Sequence, residues 1–402
     1  MNSNFPIVKL SQVSKIYSGN SINEKVKKDK FSGNDLGVDY ISTKDIGFDS
    51  VINYNNGIKI PSHELAKFKI APTNTVFICA EGGSAGRKIA ISDTELCFVN
   101  KLFAVVANNK ILPKFIFYSL KTSDFINQFK SAMTGIIGGV SLQKFKELEI
   151  QLPSLEIQKE IVERLDVAFA EIDKSLSFVD ANYRNTEALF ESYLNEVFVV
   201  NKDPSWVENT LETLCVKDRG ITYGVIKLGD HTNDGIPCLR TSNVKWLSID
   251  THDMKIISKN LSNEYSRTVL QGNEVLVNVR GTLGGVCVVD KSMEGWNISR
   301  EVAMVPVDNK LTNSNFLAYF IASNASQSWL SNVKKGAAYV GINLEDLRRL
   351  EIAYPKLDIQ NEIVKKIKNF ESNVLNLKKL YKAKFWELEI LKQSMLDNSL
   401  IF

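Results

Sequence analysis

The strongest constraint on the fold is an internal duplication. Residues 152–165 (LPSLEIQKEIVERL) match residues 354–367 (YPKLDIQNEIVKKI) at an offset of 202 residues. Further upstream, TVFICAEGGSAGRKIAI matches EVLVNVRGTLGGVCVVD in the same order along the chain. This period is far too long for the unit of a solenoid. The chain therefore contains two copies of a whole module.

Each copy ends in a segment that predicts one long amphipathic helix. No Gly or Pro interrupts residues 154–200 or 356–402, and apolar residues recur every three or four positions. Pro153 and Pro355 stand where a helix can begin but not continue. Because a lone helix of this length with an apolar stripe needs a partner, we expect the two helices to pack together. The residues predicted to pack between them are Ile161, Leu165, Ile172, Leu176, Val179, Ile363, Ile367, Phe370, Val374 and Leu377.

The charges of the two helices favour that pairing. Residues 154–199 carry 4 Lys/Arg and 10 Asp/Glu, whereas residues 356–397 carry 9 Lys and 6 Asp/Glu. Opposite net charge favours contact between the two helices over self-pairing of either one. Two unrelated surface helices remain the alternative.

The remainder of each copy predicts mixed structure. Short β-type runs such as TVFICA and EVLVNV alternate with a few helical stretches and Gly-rich turns. The fold class is therefore α/β, or mixed α+β. The expected organisation is a globular segment at 1–153, a helix at 154–200, a second globular segment at 201–355 and a second helix at 356–402.

A scan for catalytic chemistry finds no candidate set. The chain has no Gly-x-Gly, no adjacent prolines and no GxxxxGK[ST] loop. Its three histidines lie far apart, so we predict neither catalytic residues nor a metal site. The five cysteines are scattered in apolar contexts, which favours buried reduced thiols. Without a secretion signal or a membrane-length apolar run, we expect a cytoplasmic protein that does not contact a membrane.

Candidate DNA contacts begin with a basic run in the first copy. The segment KVKKDK holds Lys25, Lys27, Lys28 and Lys30 within a polar stretch. These lysines either contact phosphates, which adds affinity but little sequence information, or belong to a solvated loop.

The paired Gly-rich loops are sharper candidates. EGGSAGRK and VRGTLGG each follow a short apolar strand, and glycine lets the backbone approach another surface closely. Arginine can bind guanine through two hydrogen bonds, and hydroxyl groups can bond phosphates. Simple tight hairpins are the alternative. The side chains concerned are Ser84, Arg87, Lys88, Arg280 and Thr282.

Two further segments occupy matching positions in the copies and are dense in hydrogen-bonding groups. They are ISTKDI at 41–46 and LRTSNV at 239–244. Their side chains could read base edges or only close a loop, and Tyr339 could stack on a base or only pack. The candidates are Ser42, Lys44, Arg240, Ser242, Asn243 and Tyr339.

This layout resembles the specificity subunits of Type I restriction–modification systems. The resemblance rests on the two helix openings PSLEIQKEIV and PKLDIQNEIV, and on the loop RGTLGG with its weaker copy EGGSAGR, and it covers essentially the whole chain. The first copy departs from the loop pattern, since Glu81 stands where the second copy has Arg280. That puts a base-reading role for this position in the first copy in doubt.

The resemblance implies a non-catalytic adaptor. Each globular segment would be a target recognition domain that reads half of a bipartite site in double-stranded DNA, and the helices would form an antiparallel coiled coil that fixes the spacer. Two methyltransferase subunits would dock on the helices, and restriction subunits could join them. S-adenosylmethionine, ATP and Mg²⁺ are expected on those partners and not on this chain.

Other functions stay open at this point. One is a specificity subunit whose partner fuses nuclease and methyltransferase. Another is a coiled-coil scaffold that does not bind DNA, which would lack salt-dependent DNA binding. The last is an enzyme with unfamiliar motifs, which would bind S-adenosylmethionine or cleave DNA by itself.

Overall fold

The chain divides into two compact units. The computed structural model describes residues 5–34, 36–135, 138–333 and 341–400. Unit 1 comprises residues 1–180 with 383–402, and unit 2 comprises residues 181–382. Each unit thus holds the globular segment of one copy together with parts of both long helices.

The α-helices follow the predicted periodicities. Two of them are long, with 41 and 44 residues, and each begins two residues after its proline. A π-helical turn, Glu196–Val200, continues the first of them. The helices are α1 (Leu10–Val13), α2 (Glu24–Val26), α3 (Pro113–Ser119), α4 (Ser123–Ala132), α5 (Leu142–Lys146), α6 (Leu155–Asn195), α7 (Lys259–Glu264), α8 (Ser314–Ala322), α9 (Asn324–Val333), α10 (Leu344–Arg348) and α11 (Leu357–Leu400).

In unit 1 the strands form two four-stranded sheets and a separate pair, β1 with β10. The sheet orders are β2-β9-β6-β7, which is antiparallel, and β4-β3-β8-β5, in which β3 and β8 are parallel. The strands are β1 (Ile7–Lys9), β2 (Ser14–Ser18), β3 (Val38–Ile41), β4 (Lys59–Ile60), β5 (Ile70–Ala71), β6 (Val76–Cys79), β7 (Ile89–Ile91), β8 (Leu96–Phe98), β9 (Leu102–Ala107) and β10 (Glu149–Gln151).

Unit 2 repeats most of this topology, but its second sheet has three strands. Its sheets have the orders β12-β20-β17-β18 and β16-β13-β19, with β13 and β19 parallel, and the pairs β11-β21 and β14-β15 complete it. The mixed α/β class and the duplication are therefore confirmed. The strands are β11 (Val207–Thr210), β12 (Thr222–Tyr223), β13 (Ile236–Leu239), β14 (Val244–Lys245), β15 (Ser248–Ile249), β16 (Lys255–Ile257), β17 (Val275–Asn278), β18 (Val286–Val288), β19 (Asn297–Ile298), β20 (Val302–Val305) and β21 (Glu351–Tyr354).

The central strands β6 and β17 are apolar, apart from Asn278 at the end of β17, because both faces of their sheet are covered. In β6, Val76 and Ile78 pack into the cluster that contains the long helices, whereas Phe77 and Cys79 pack into a second cluster on the opposite face. Side chains alternate across a strand, so a sheet buried on both faces needs an unbroken apolar run. β17 behaves in the same way in unit 2.

A buried glutamine fixes the start of each long helix. The Gln158 side chain accepts from Leu112 N at 2.8 Å and donates to Pro153 O at 2.9 Å. It is fully buried, so every amide group left unpaired there would be costly. Gln360 is buried in the same way in unit 2. Its Oε1 accepts from Asn313 N at 2.8 Å, and its Nε2 donates to Leu311 O at 3.2 Å and to Pro355 O at 2.9 Å.

The two long helices pair antiparallel. In unit 2, Glu187 binds Lys378 at 2.9 Å, and the ring of Tyr193 stacks on that of Phe370 with centroids 4.1 Å apart. From the first contact to the second, the residue number increases along α6 and decreases along α11, so the two helices run antiparallel. In unit 1, Asp173 pairs with Lys392. The acidic helix supplies the carboxylates and the basic helix the lysines, so the predicted pairing of the helices, and the coiled coil that the resemblance implied, are confirmed.

Three of the predicted interhelix residues need correction. Leu377 is 38% exposed and belongs to no apolar cluster among the described residues. The ion-pair register places Ile161 opposite a position beyond Leu400, and Ile363 opposite one beyond Val200. Both therefore pack on their own globular segments. The other predicted residues are buried or half-buried in the clusters that contain both helices: Leu165, Ile172, Leu176, Val179, Ile367, Phe370 and Val374.

The five cysteines are buried and unpaired, as predicted. Burial raises the pKa of Cys97, Cys215, Cys238 and Cys287 to about 12, which keeps these thiols protonated and poorly nucleophilic. Within the described residues, no helix is both long and apolar enough to cross a membrane.

Candidate nucleic-acid interface

The Gly-rich loops occupy the same place in both units. Each follows a buried central strand, and its first residue forms an isolated antiparallel bridge with a second loop: Glu81 with Gly139 in unit 1, and Arg280 with Gly341 in unit 2. Gly285 is required for close packing, because a Cβ there would lie 2.2 Å from Asn278 Nδ2. Backbone contacts thus fix where each loop begins, and the side chains project from a defined frame.

In unit 1, the loop after β6 lies beside the loop after β3. The guanidinium of Arg87 lies 4.9 Å from the centroid of Phe48, whose side chain is 61% exposed. Lys88 lies 5.2 Å from the same ring, and its Nζ donates to Thr43 O at 3.0 Å. Two cations therefore cover one exposed aromatic ring, and Lys44 is exposed on the neighbouring turn.

In unit 2, hydrogen bonds join the corresponding loops. Thr241 Oγ1 donates to Thr282 O at 3.0 Å. The amide of Asn278 donates to Thr282 O at 3.1 Å and to Val244 O at 2.9 Å. This buried amide ties two loops to β17, while the side chains of Ser242 and Thr282 stay exposed.

Arg280 is an exposed cation of the unit 2 loops. Its side chain is exposed, and its guanidinium lies 5.6 Å from the centroid of Tyr223. Among the residues that the structure describes, no carboxylate forms an ion pair with it. The aromatic ring supports the guanidinium without consuming its hydrogen-bond donors, which remain free for a ligand.

The position equivalent to Arg280 in unit 1 carries the opposite charge. Glu81 forms an ion pair with Lys101 at 2.9 Å, and both side chains are about half exposed. Lys101 O accepts from Ala80 N, just as Glu301 O accepts from Val279 N in unit 2. The acidic Glu81 thus stands where unit 2 has the basic Arg280, and the basic Lys101 stands where unit 2 has the acidic Glu301.

The basic run of unit 1 is helical and not a loop, which corrects the prediction. It forms α2 and a π-helical turn at Lys27–Phe31, and Phe31 anchors it in the core. Lys27 is occupied, since it binds Glu24 at 2.6 Å and lies over the ring of Tyr40. The lysines that remain exposed are Lys25, Lys28 and Lys30.

The structure assigns other roles to several predicted base readers. Asn243 is 1% exposed, and its amide donates to Asp250 O at 3.0 Å, so it closes its own loop. Arg240 is held by Asp253 O at 2.6 Å. Ser42 Oγ donates to the buried Asp45 carboxylate at 2.7 Å. Ser84 is half-buried in its turn.

Tyr339 lies outside the described residues. Within them, no group of three or more His, Cys, Asp and Glu side chains could hold a metal ion. All three histidines are exposed.

Sequence reasoning missed three residues of these loop clusters. Phe48 had the clearest signal, as an aromatic residue in a polar turn. Lys101 and Tyr223 gave none, because they reach Glu81 and Arg280 only through strand pairing across the sheet.

Comparison with known proteins assigns the family. The model of the Type I restriction modification DNA specificity domain matches residues 2–177 and 194–383. The EcoBI specificity subunit of Escherichia coli is 23% identical over 397 residues, which cover 92% of this chain and 81% of that protein.

Solved structures share the fold. A chain from a structure of complex assembly and conformational transition in the type I R-M system has a TM-score of 0.72 at 18% identity, covering 100% of this chain and 98% of that one. The HsdS subunit from Thermoanaerobacter tengcongensis has a TM-score of 0.60 at 20% identity, covering 100% and 97%. The two family matches, one per copy, confirm the predicted specificity subunit and disfavour the enzyme alternative. The chain belongs to the family of Type I restriction–modification DNA specificity subunits.

Proposed function

We propose that this chain reads a bipartite sequence in double-stranded DNA, one half with the loops of each unit. The observation that carries the proposal is the duplicated loop cluster, with an exposed cation beside the Gly-rich loop in each unit, Arg87 in unit 1 and Arg280 in unit 2. Cations and hydroxyl groups contact phosphates, and arginine reads base edges in the major groove. Family membership supplies the DNA specificity.

The helices serve as a ruler between the two half-sites. α6 and α11 are uninterrupted, and ion pairs hold them in register. Two readers on a stiff connector bind one duplex together only at a matching separation, which multiplies their affinities. The recognised sequence would therefore contain a spacer of fixed length.

Two methyltransferase subunits dock on the outer faces of the coiled coil. On α6, the exposed apolar residues Val167, Phe178 and Leu189 recur every eleven residues, which places them on one helix face. On α11, Trp386 is 58% exposed and Leu375 is 52% exposed. Exposed apolar faces of this kind are typical of protein interfaces.

In this arrangement the chemistry belongs to the partners. The methyltransferases bind S-adenosylmethionine, and restriction subunits, where present, bind ATP and Mg²⁺. The complex works in the cytoplasm, where these substrates and the DNA are found together.

The primary test is co-expression with the methyltransferase encoded beside this chain, followed by genome-wide mapping of methylated adenines. We expect a split motif with a fixed gap that disappears when this chain is deleted. A stable complex that methylates no split motif would contradict the proposal.

The ruler has a separate test. Deleting residues 179–185 together with 379–385 removes one heptad from each helix, keeps both ion pairs in register and spares the exposed apolar residues of the docking faces. The connector shortens by about 10 Å, the rise of about three base pairs, so the spacer should shorten while both half-sites persist. The exposed Asn182→Ala, in the same stretch, is the matched control and should leave the spacer as it is. An unchanged spacer in the deletion variant would rule the ruler out.

A further inference from the structure

We infer that the two units read opposite types of base pair at their equivalent position: a G·C pair through Arg280 in unit 2, and an A·T pair through the Glu81–Lys101 pair in unit 1. This inference rests on the proposed function. The observation behind it is the exchange of acid and base between equivalent positions of the two sheets.

Position equivalence comes from the backbone. Glu81 and Arg280 each follow the central strand by the same interval, and each bridges a glycine of the neighbouring loop. The residue before Glu81, Ala80, donates its backbone N–H to Lys101 O. In the same way, the residue before Arg280, Val279, donates to Glu301 O. Since the frames coincide, the two loop clusters would present these side chains to the same position of their respective half-sites.

In unit 2 the group presented is a planar cation with donors only. Guanine offers two adjacent acceptors, O6 and N7, in the major groove, and a guanidinium matches them with two hydrogen bonds. The ring of Tyr223 limits the orientations of the Arg280 side chain and leaves its donors available. Adenine presents one donor and one acceptor there, so an arginine in this position favours guanine.

In unit 1 the group presented is an acceptor beside a donor. Glu81 Oε1 and Lys101 Nζ lie 2.9 Å apart, and each side chain is about half exposed. Adenine offers its N6 donor next to its N7 acceptor, which is the complementary arrangement. Guanine would place its O6 acceptor against the carboxylate, which leaves a desolvated charge without a partner there. The ion pair therefore favours adenine over guanine at this position.

The test exchanges the pairs in the full chain, co-expressed with its methyltransferase. Glu81→Arg with Lys101→Glu gives unit 1 the charges of unit 2, and Arg280→Glu with Glu301→Lys does the reverse. We expect the first variant to change one A·T pair of the first half-site to G·C, and the second to change one G·C pair of the second half-site to A·T. In each variant the other half-site and the spacer stay constant.

Single substitutions give a finer readout. Arg280→Lys keeps the charge but loses the two-bonded geometry, so preference for guanine at one position should fall by about five- to a hundredfold. The measurement is competition binding of the purified complex to duplexes that vary at each position. Lys310→Ala, an exposed cation of the same unit away from the loops, is the control and should change no preference.

The outcomes separate this inference from the proposed function. If the wild-type complex methylates no split motif, the proposed function fails. If a split motif exists but the exchanged pairs leave every base preference unchanged, or alter a pair of the wrong type, only this inference fails. A variant that loses methylation is scored by the same competition binding, in which unaltered base preference would equally overturn the inference.

Discussion

The turn beside the Gly-rich loop is packed in unit 2 and open in unit 1. In unit 2, the indole of Trp246 packs edge-on against Phe190, with centroids 5.5 Å apart, and its Nε1 donates to Ala322 O at 3.1 Å. In unit 1, Phe48 occupies the corresponding turn and is mostly exposed. A cavity of about 490 Å³ lies behind that turn, with Lys121 and Lys392 in its wall.

The same backbone plan thus holds its loops by different means. Unit 2 anchors its turn with apolar packing and a buried amide, whereas the turn of unit 1 stays exposed and its Phe48 ring is contacted by the cations Arg87 and Lys88. Burial lowers the pKa of Lys121 to about 8; its Nζ donates to Ser50 Oγ at 3.0 Å and lies 4.8 Å from the centroid of the Phe117 ring. The two copies keep the same backbone arrangement, but their loops differ in how tightly they are packed and in the charges of their side chains.

The largest expected effect tests the part that the units share. Gln158→Ala and Gln360→Ala each remove a fully buried amide and leave backbone groups unpaired, so each should lower the free energy of unfolding by about 3 kcal/mol. Denaturant unfolding of the full chain measures this. The exposed Gln143→Ala is the control, with an expected change below about 0.5 kcal/mol. Clearly unequal effects of the two variants would break the symmetry of the frame.

The next effect sharpens the difference between the two turns. Trp246→Ala removes half-buried aromatic packing and should destabilise unit 2 by about 2–3 kcal/mol, whereas Phe48→Ala should cost below about 0.5 kcal/mol. Hydrogen–deuterium exchange resolved by peptide locates the change, which should appear in α8 for the first variant. Comparable exchange around α3 in Phe48→Ala would contradict the comparison.

A smaller effect concerns Lys121. Because its pKa is lowered in the folded state, the unfolded chain binds more protons between about pH 8 and its ordinary value of 10.5, and wild-type stability should rise with pH across that window. Lys121→Met removes the buried charge and should stabilise unit 1 by about 1 kcal/mol at pH 7.

That advantage should shrink as the pH rises through the same window. Thermal unfolding at several pH values measures it, with the exposed Lys130→Met as the control. A stability difference that does not depend on pH would show that the amine is solvated.

The smallest effect is on DNA affinity. Replacing Lys25, Lys28 and Lys30 with alanine should weaken binding by about threefold for each lysine that contacts a phosphate, and lower the salt slope by about one for each. Base preference should not change, because phosphate contacts carry no sequence information. Titrations at several salt concentrations measure the slope. An unaltered slope would place the basic turn away from the DNA.

The duplication made much of the fold predictable. The matching proline and glutamine positions located both helices, and the charge difference between the helices predicted that they would meet. Apolar runs located the central strands. These signals are local or repeat along the chain, so they can be recognised before any contact is known.

The loops were less predictable because the role of a polar residue depends on its partners. Asn243 has a side chain that can read bases, but its amide donates to a carbonyl of its own loop. The Ser42 hydroxyl likewise donates to the Asp45 carboxylate. The helical turn at Lys27–Phe31 forms because Phe31 reaches the core, which the charge pattern does not reveal. Lys101 became relevant only when strand pairing brought it to Glu81.

The way the C-terminal part of α11 completes unit 1 has a consequence for synthesis. Asp397 accepts from Ser123 N at 2.8 Å, and Leu388, Leu396 and Leu400 belong to the unit 1 core. Unit 2 is continuous in sequence, so it can fold as it leaves the ribosome. Unit 1 is translated first but completed last. The apolar residues of unit 1 that pack against α11 stay exposed while all of unit 2 is synthesised. In the nascent chain, residues 1–180 are therefore the part most prone to aggregate and to bind chaperones.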